Sequence, residues 1–177
     1  MKKLFFFGLL FLVISIIGFS AFKQINKSAK ASRIDCQKEV VVFERIYKPK
    51  QIELLKNLIS NQKAKIIFKV EKSKYMKSKL FEYVDINKTE KDIEKTFGLY
   101  KNQDTNDSVV DVLLYENDKL DPGKKNDEAK KYAGYLVFDF YVKNELTYKI
   151  QIDFMDFQGK DIQKRIDCVR QSVQNLN

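Results

Sequence analysis

Residues 4–22, LFFFGLLFLVISIIGFSAF, form an unbroken run without a charge, directly after Lys2 and Lys3. As a helix the run would extend about 28 Å, close to the ~30 Å hydrocarbon core of a bilayer. Such a run cannot be left in water. A basic flank followed by an apolar run is the pattern of an export signal. Residues 1–22 therefore read as a transmembrane signal-anchor or a signal peptide, and the length favours the uncleaved anchor. Cleavage has only poor sites, after Ser20 or Ala21 or at Ala29-Lys30-Ala31. Cys36 follows Arg33-Ile34-Asp35 rather than small apolar residues, so no lipid is expected on it.

Residues 23–35 (KQINKSAKASRID) read as a basic tether. Their lysines could draw the chain to anionic headgroups, but an ordinary solvated flank explains them as well. By the positive-inside rule, Lys23, Lys27, Lys30 and Arg33 would hold the following chain in the cytoplasm. The export-like start and the two cysteines argue the opposite. The expected location is the cell envelope. The chain would be a single-pass protein of the inner (cytoplasmic) membrane with an extracytoplasmic domain, or a periplasmic protein if the run is removed.

The remainder, 36–177, is long enough for a single α+β domain. A hydrophobic share of 44% against 32% charged residues, with few Gly and Pro, is globular rather than disordered composition. Of 33 basic residues, six lie within 1–33, where there is no acid, so the rest carries 27 against 24 acids. The net charge of +9 is mostly a membrane-flank property and does not call for a nucleic-acid partner. There is no His, which removes the commonest general base and zinc ligand. No phosphate-binding, nucleophile-elbow or zinc-protease motif occurs, and no cofactor or metal is expected. Asp104, Asp107, Asp111, Asp118 and Asp121 lack the spacing of a calcium loop.

The β-branched and aromatic run 39–47 predicts a strand. Pro49 suits a first helical turn, and Ile52, Leu55, Leu58 and Ile59 recur at helical spacing. Residues 65–70 alternate, and 80–86 (LFEYVDI) reads as their partner strand. Thr89 is expected to open a helix whose stripe is Ile93 and Phe97 and whose end is Gly98. Residues 109–115 read as a strand, and 116–131 as a loop. In 135–142, Leu136, Phe138, Phe140 and Val142 share a face. In 146–154, Leu146, Tyr148, Ile150, Ile152 and Phe154 share one face, and Thr147, Lys149, Gln151 and Asp153 the wet one. These two runs predict a hairpin. Residues 160–176 predict a helix with Ile162, Ile166, Val169, Val173 and Leu176 on its buried stripe. Tyr132, Tyr135, Tyr141 and Tyr148 read as hairpin surface and core rather than a ligand box. The expected fold is an antiparallel sheet with helices on one face.

The run INKTEKDIEKTFGLY at 86–100, then VVDVLLY and the hairpin YLVFDFYVKNELTYKIQID, resembles the SmpA/OmlA (BamE-like) small envelope domain. Thr89, Ile93, Phe97 and Gly98 carry the match, which covers residues 86–153. The chain departs from that family in having no lipid-bearing Cys, no Pro soon after Gly98, and an extra segment before the helix. The resemblance implies a non-enzymatic module that binds other proteins.

Cys36 and Cys168 each end an Arg-Ile-Asp-Cys tetrapeptide at opposite ends of the domain. In an exported domain, two cysteines predict one disulfide. A second feature is Lys63, Lys65, Lys69, Lys72, Lys74, Lys77 and Lys79, opposed only by Glu71. These offer a surface for an acidic partner, or simply a solvated edge on which lysines deter strand pairing. The leading functional expectation is a protein-binding module, as an assembly factor or an immunity-type inhibitor of an unknown protein partner. The alternatives are a small hydrolase using carboxylates such as Glu82, Asp85 and Asp139, and a binder of lipid or a small ligand on the sheet.

Overall fold

The computed structural model describes residues 33–105, 107–124 and 126–176. The apolar run and nearly all of the tether lie outside the described residues. Among the described residues no helix is long and apolar enough to cross a membrane.

A short helix α1 (Asp35–Lys38) leads into β1 (Val42–Ile46). A turn at Pro49–Gln51 opens α2 (Ile52–Ser60), and β2 (Lys65–Glu71) follows. Two helices come next, α3 (Leu80–Tyr83) and α4 (Ile86–Phe97), then β3 (Ser108–Glu116). A single-turn segment Asp127–Lys130 precedes β4 (Gly134–Val142), β5 (Glu145–Phe154) and the final helix α5 (Ile162–Gln174). The five strands form one sheet in the order β1-β5-β4-β3-β2.

The fold is α+β, but the sheet is mixed: β2 runs parallel to β3, and the other three pairings are antiparallel. The expected strand at 80–86 is absent. Leu80 and Val84 are both buried, four residues apart, while Phe81 and Tyr83 are exposed, which is a helical pattern. The Asp85 carboxylate then accepts a hydrogen bond from the Lys88 N–H at 2.9 Å and starts α4. Two helices between β2 and β3 make the long crossover that parallel strands require, whereas a partner strand would have made a hairpin. Thr89, expected as the helix start, lies one turn inside it, its hydroxyl donating to the Asp85 carbonyl at 2.9 Å. Gly98 ends α4 at φ +66°, with the Leu99 N–H reaching back to the Glu94 carbonyl.

The inner face of the sheet carries Leu136, Phe138, Phe140 and Val142 from β4, and Tyr148, Ile150, Ile152 and Phe154 from β5, all buried. The apolar faces of α2, α4 and α5 complete this core. Phe97 of α4 lies 5.7 Å from Phe138 and 6.2 Å from Phe140, ring centroid to centroid. The β4–β5 turn is Lys143-Asn144, both at positive φ, the two-residue geometry that matches strand twist.

The alternation expected through 146–154 breaks at a bulge. Phe140 pairs with Tyr148, but Tyr141 pairs with Leu146, leaving Thr147 as the extra residue. Leu146 therefore shares the face of Tyr141 and not that of Tyr148. Thr147 is buried, and its hydroxyl donates to Gln51 Oε1 at 2.7 Å. Asp153, expected on the wet face, is only 2% exposed.

Cys36 and Cys168 are disulfide-bonded, with Cα atoms 5.7 Å apart. Beside the bond, the buried Gln37 amide donates to Ser172 Oγ at 2.9 Å and to Glu44 Oε2 at 3.3 Å. Glu44 Oε2 also accepts from the Tyr148 hydroxyl at 2.6 Å. Burial and that carboxylate push the Tyr148 phenol well above its ordinary range. The start of the domain is thus clasped to its last helix by a covalent bond and a polar network.

Candidate functional site

Strands β2, β3 and β5 all end, and β4 begins, at one end of the sheet. The connecting segments gathered there are 72–79, 117–133 and 155–161. Glu116, the last residue of β3, is buried. Its Oε2 accepts from the Ser73 N–H at 3.0 Å and the Ser73 hydroxyl at 2.9 Å, and its Oε1 accepts from the Lys79 N–H at 2.9 Å. Asp118 Oδ2 accepts from the N–H groups of Lys74 and Tyr75, both at 2.6 Å, and Oδ1 from that of Leu120 at 3.3 Å. Burial acts to raise both carboxyls, but the hydrogen bonds outweigh it and hold Glu116 and Asp118 below the usual carboxylate range. Two acids therefore grip the lysine-bearing loop by its backbone N–H groups.

This loop forms one wall of a groove of about 500 Å³. Met76, Lys77 and Lys79 line it from the loop, Tyr83 from α3, Lys119 from the segment after β3, and Phe157 from the segment after β5. Lys119 Nζ sits 4.2 Å from the centre of the Phe157 ring, and Lys79 Nζ 6.0 Å from that of Tyr83. Both distances are those of a cation held over an aromatic face. Tyr83 is 45% exposed and Phe157 52%. Tyr75, Phe81, Leu120 and Met155, on the same end segments, are also exposed. Exposed apolar surface concentrated at one end of a domain and mixed with cations is the kind of surface that a binding partner covers.

The seven lysines expected to act together are divided by the fold. Lys77 and Lys79 line the groove, and Lys72 and Lys74 lie on its loop, Lys74 being 3.8 Å from Glu71. Lys69, on the edge strand β2, pairs with Asp111 at 2.6 Å. Lys63 and Lys65 lie at the opposite end of β2. Sequence reading missed Lys119, Tyr83, Met76 and Phe157. They are distant in the chain, and only the sheet order brings them together.

The carboxylates considered for catalysis stay apart in role. Asp85 caps α4, Asp139 pairs with Lys149 at 3.0 Å, and Glu82 is exposed on α3. Among the aspartates considered for metal, Asp111 pairs with Lys69, Asp118 grips the loop, and Asp121 Oδ1 accepts from the Gly123 N–H at 2.8 Å. Among the described residues no three His, Cys, Asp or Glu side chains gather as a metal set. No protein-family model, curated protein or solved structure matches this chain.

Proposed function

We propose that this chain is a non-enzymatic binding module of the cell envelope that takes an acidic, apolar-tipped segment of a protein partner into the groove of Met76, Tyr83 and Phe157. The apolar run 4–22 would hold it at the membrane, with the domain on the outer side. The observation that carries this reading is the state of Glu116 and Asp118. Glu116 lines the groove beside these lysines, but its oxygens, like Asp118 Oδ2, are taken by N–H and hydroxyl groups of the 72–79 loop. The rim then offers Lys77, with Lys79 over Tyr83 and Lys119 over Phe157, which complements a carboxylate next to an apolar side chain. Among the described residues that line the groove, the one carboxylate, Glu116, is engaged in holding the loop. The resemblance of residues 86–153 to the BamE-like envelope domain implies the same class, a non-enzymatic module that binds other proteins; such a module would act as an assembly factor or an immunity-type inhibitor.

Site-specific photo-crosslinking in membranes of the native host tests the reading. A photoreactive residue at Tyr83 or Phe157 should give one discrete adduct, and the peptide joined to it should be acidic. Lys77→Glu together with Lys119→Glu should abolish the adduct. Equal adducts from Tyr141, on the outer sheet face, or none from the groove would overturn it.

A further inference from the structure

A second cleft, of about 330 Å³, lies on the outer face of the sheet and has the opposite character. Its roof is the segment 126–132, which Asn117 holds in place: the buried Asn117 amide donates to the carbonyls of Ala129 and Tyr132, both at 2.8 Å. Its floor is Tyr135, Gln151 and Asp153, and its open side is Phe43 of β1, 63% exposed. Tyr132 and Glu128 complete the wall from the roof. Among the described residues that line it, none is cationic.

Asp153 differs from the other buried acids. Glu116 and Asp118 are each met by several hydrogen bonds, whereas Asp153 Oδ1 accepts from the Gln151 amide at 3.1 Å. The charges that reach it come from Lys124 and Arg165, and neither lines the cleft. Lys124 is turned toward the Tyr135 ring, 5.5 Å from its centre, and Arg165 pairs with Asp161 at 2.9 Å. Tyr135 stays a neutral phenol, because burial and the nearby carboxylates raise it to about 12. The cleft therefore offers one buried carboxylate beside the rings of Phe43 and Tyr132, over a floor where the Tyr135 ring stacks on Tyr115 at 5.7 Å; Glu128 at the rim pairs with Lys131 at 2.6 Å.

We infer that this cleft binds an organic ammonium ion, with Asp153 as its counter-ion and Phe43 and Tyr132 as the aromatic walls facing its alkyl groups. A cation enclosed by aromatic faces and one carboxylate gains from the ring quadrupoles and from the opposite charge. A neutral molecule of the same shape gains neither. The site is separate from the basic groove and does not depend on the partner proposed for it.

The probe is choline, compared with 3,3-dimethylbutan-1-ol, which replaces the charged nitrogen by carbon. The full chain is kept in a non-ionic maltoside, because zwitterionic detergents carry an ammonium group of their own. Choline should shift the ring resonances of Tyr132 and Tyr135 saturably, and the neutral alcohol should bind weaker by about tenfold or more, the factor for one 1.4 kcal/mol step. Asp153→Asn should lose the preference for choline. Phe43→Ala, at an exposed position that the core does not need, should weaken choline binding with no change in fold. Equal response to the two compounds, no saturable response to choline, or both variants binding as the parent does would overturn the inference.

Discussion

Ser73 donates both its backbone N–H and its hydroxyl to one oxygen of Glu116, at 3.0 and 2.9 Å. The contact joins the end of β2 to the end of β3 and shapes the loop that lines the basic groove. Glu116→Gln keeps the size of the side chain but replaces one acceptor by a donor. It should cost about 1–3 kcal/mol of stability, the range for disturbing hydrogen bonds to a buried charged group. Denaturant unfolding of parent and variant measures it. A change within error would show that the loop holds its shape without the acid.

The same acids fix a pH response. Glu116 and Asp118 titrate lower in the folded chain than in the unfolded one. Their contribution is fully present above the unfolded carboxylate values, near 4.5 and 3.8, and is lost as pH falls through the lower folded values. In a series of thermal midpoints on the acid side, the parent should lose stability more steeply than Glu116→Gln. Parallel curves would contradict the assignment.

Asp153 acts in the opposite direction. Burial raises its carboxyl from 3.8 to about 6. Between these values the folded chain binds more protons than the unfolded chain, so this group makes stability fall as pH rises from about 4 to 6. Asp153→Asn removes the cost of a buried charge and should stabilise the fold above pH 6 by up to about 3 kcal/mol, at roughly 1.4 kcal/mol per pKa unit. Near pH 4 the gain should shrink toward zero. An Asn variant less stable than the parent at pH 7.5 would mean that the charge is needed for folding.

Phe138 and Ile150 face each other across β4 and β5 on the inner face, fully buried. Either one changed to Asp places an unpaired charge in the core and should cost more than about 4 kcal/mol. Asp139 and Lys149, paired at 3.0 Å on the outer face, are partly exposed, and Ser at either should cost about 1 kcal/mol or less. Thermal midpoints of the four variants check the contrast, and similar losses on both faces would refute the register.

The Cys36–Cys168 bond spans 132 residues. Chain entropy sets an upper figure of about 5 kcal/mol for a loop of this length. The Cys36→Ser, Cys168→Ser double variant should therefore melt well below the parent. The parent should yield no thiol to alkylation until it is unfolded and reduced. Two thiols labelled in the native state would remove the bond, and with it the main argument that the domain faces outward.

Several elements were legible in the sequence because near neighbours in the chain decide them. The run 135–142 alternates at the strand period, α5 carries an apolar stripe at the helical one, and Gly98 stands where a helix needs a left-handed residue. The disulfide was legible for a different reason: in a chain whose first residues read as an export signal, two cysteines have only each other. Other features depend on contacts distant in the chain. Whether 80–86 is strand or helix turned on Leu80 and Val84 finding the core together, and that choice made β2 parallel to β3. The bulge that turned Thr147 inward and Leu146 outward was decided by the Gln51 side chain and the strand opposite. Both candidate sites belong to this second class. The basic groove exists because the sheet order brings the ends of β2, β3 and β5 together, so that Lys79, Lys119 and Phe157 meet. Asp153 reads as a wet-face residue until Asn117 folds the 126–132 segment over it. Local periodicity assigns a side chain to a face, but only packing decides whether that face meets water.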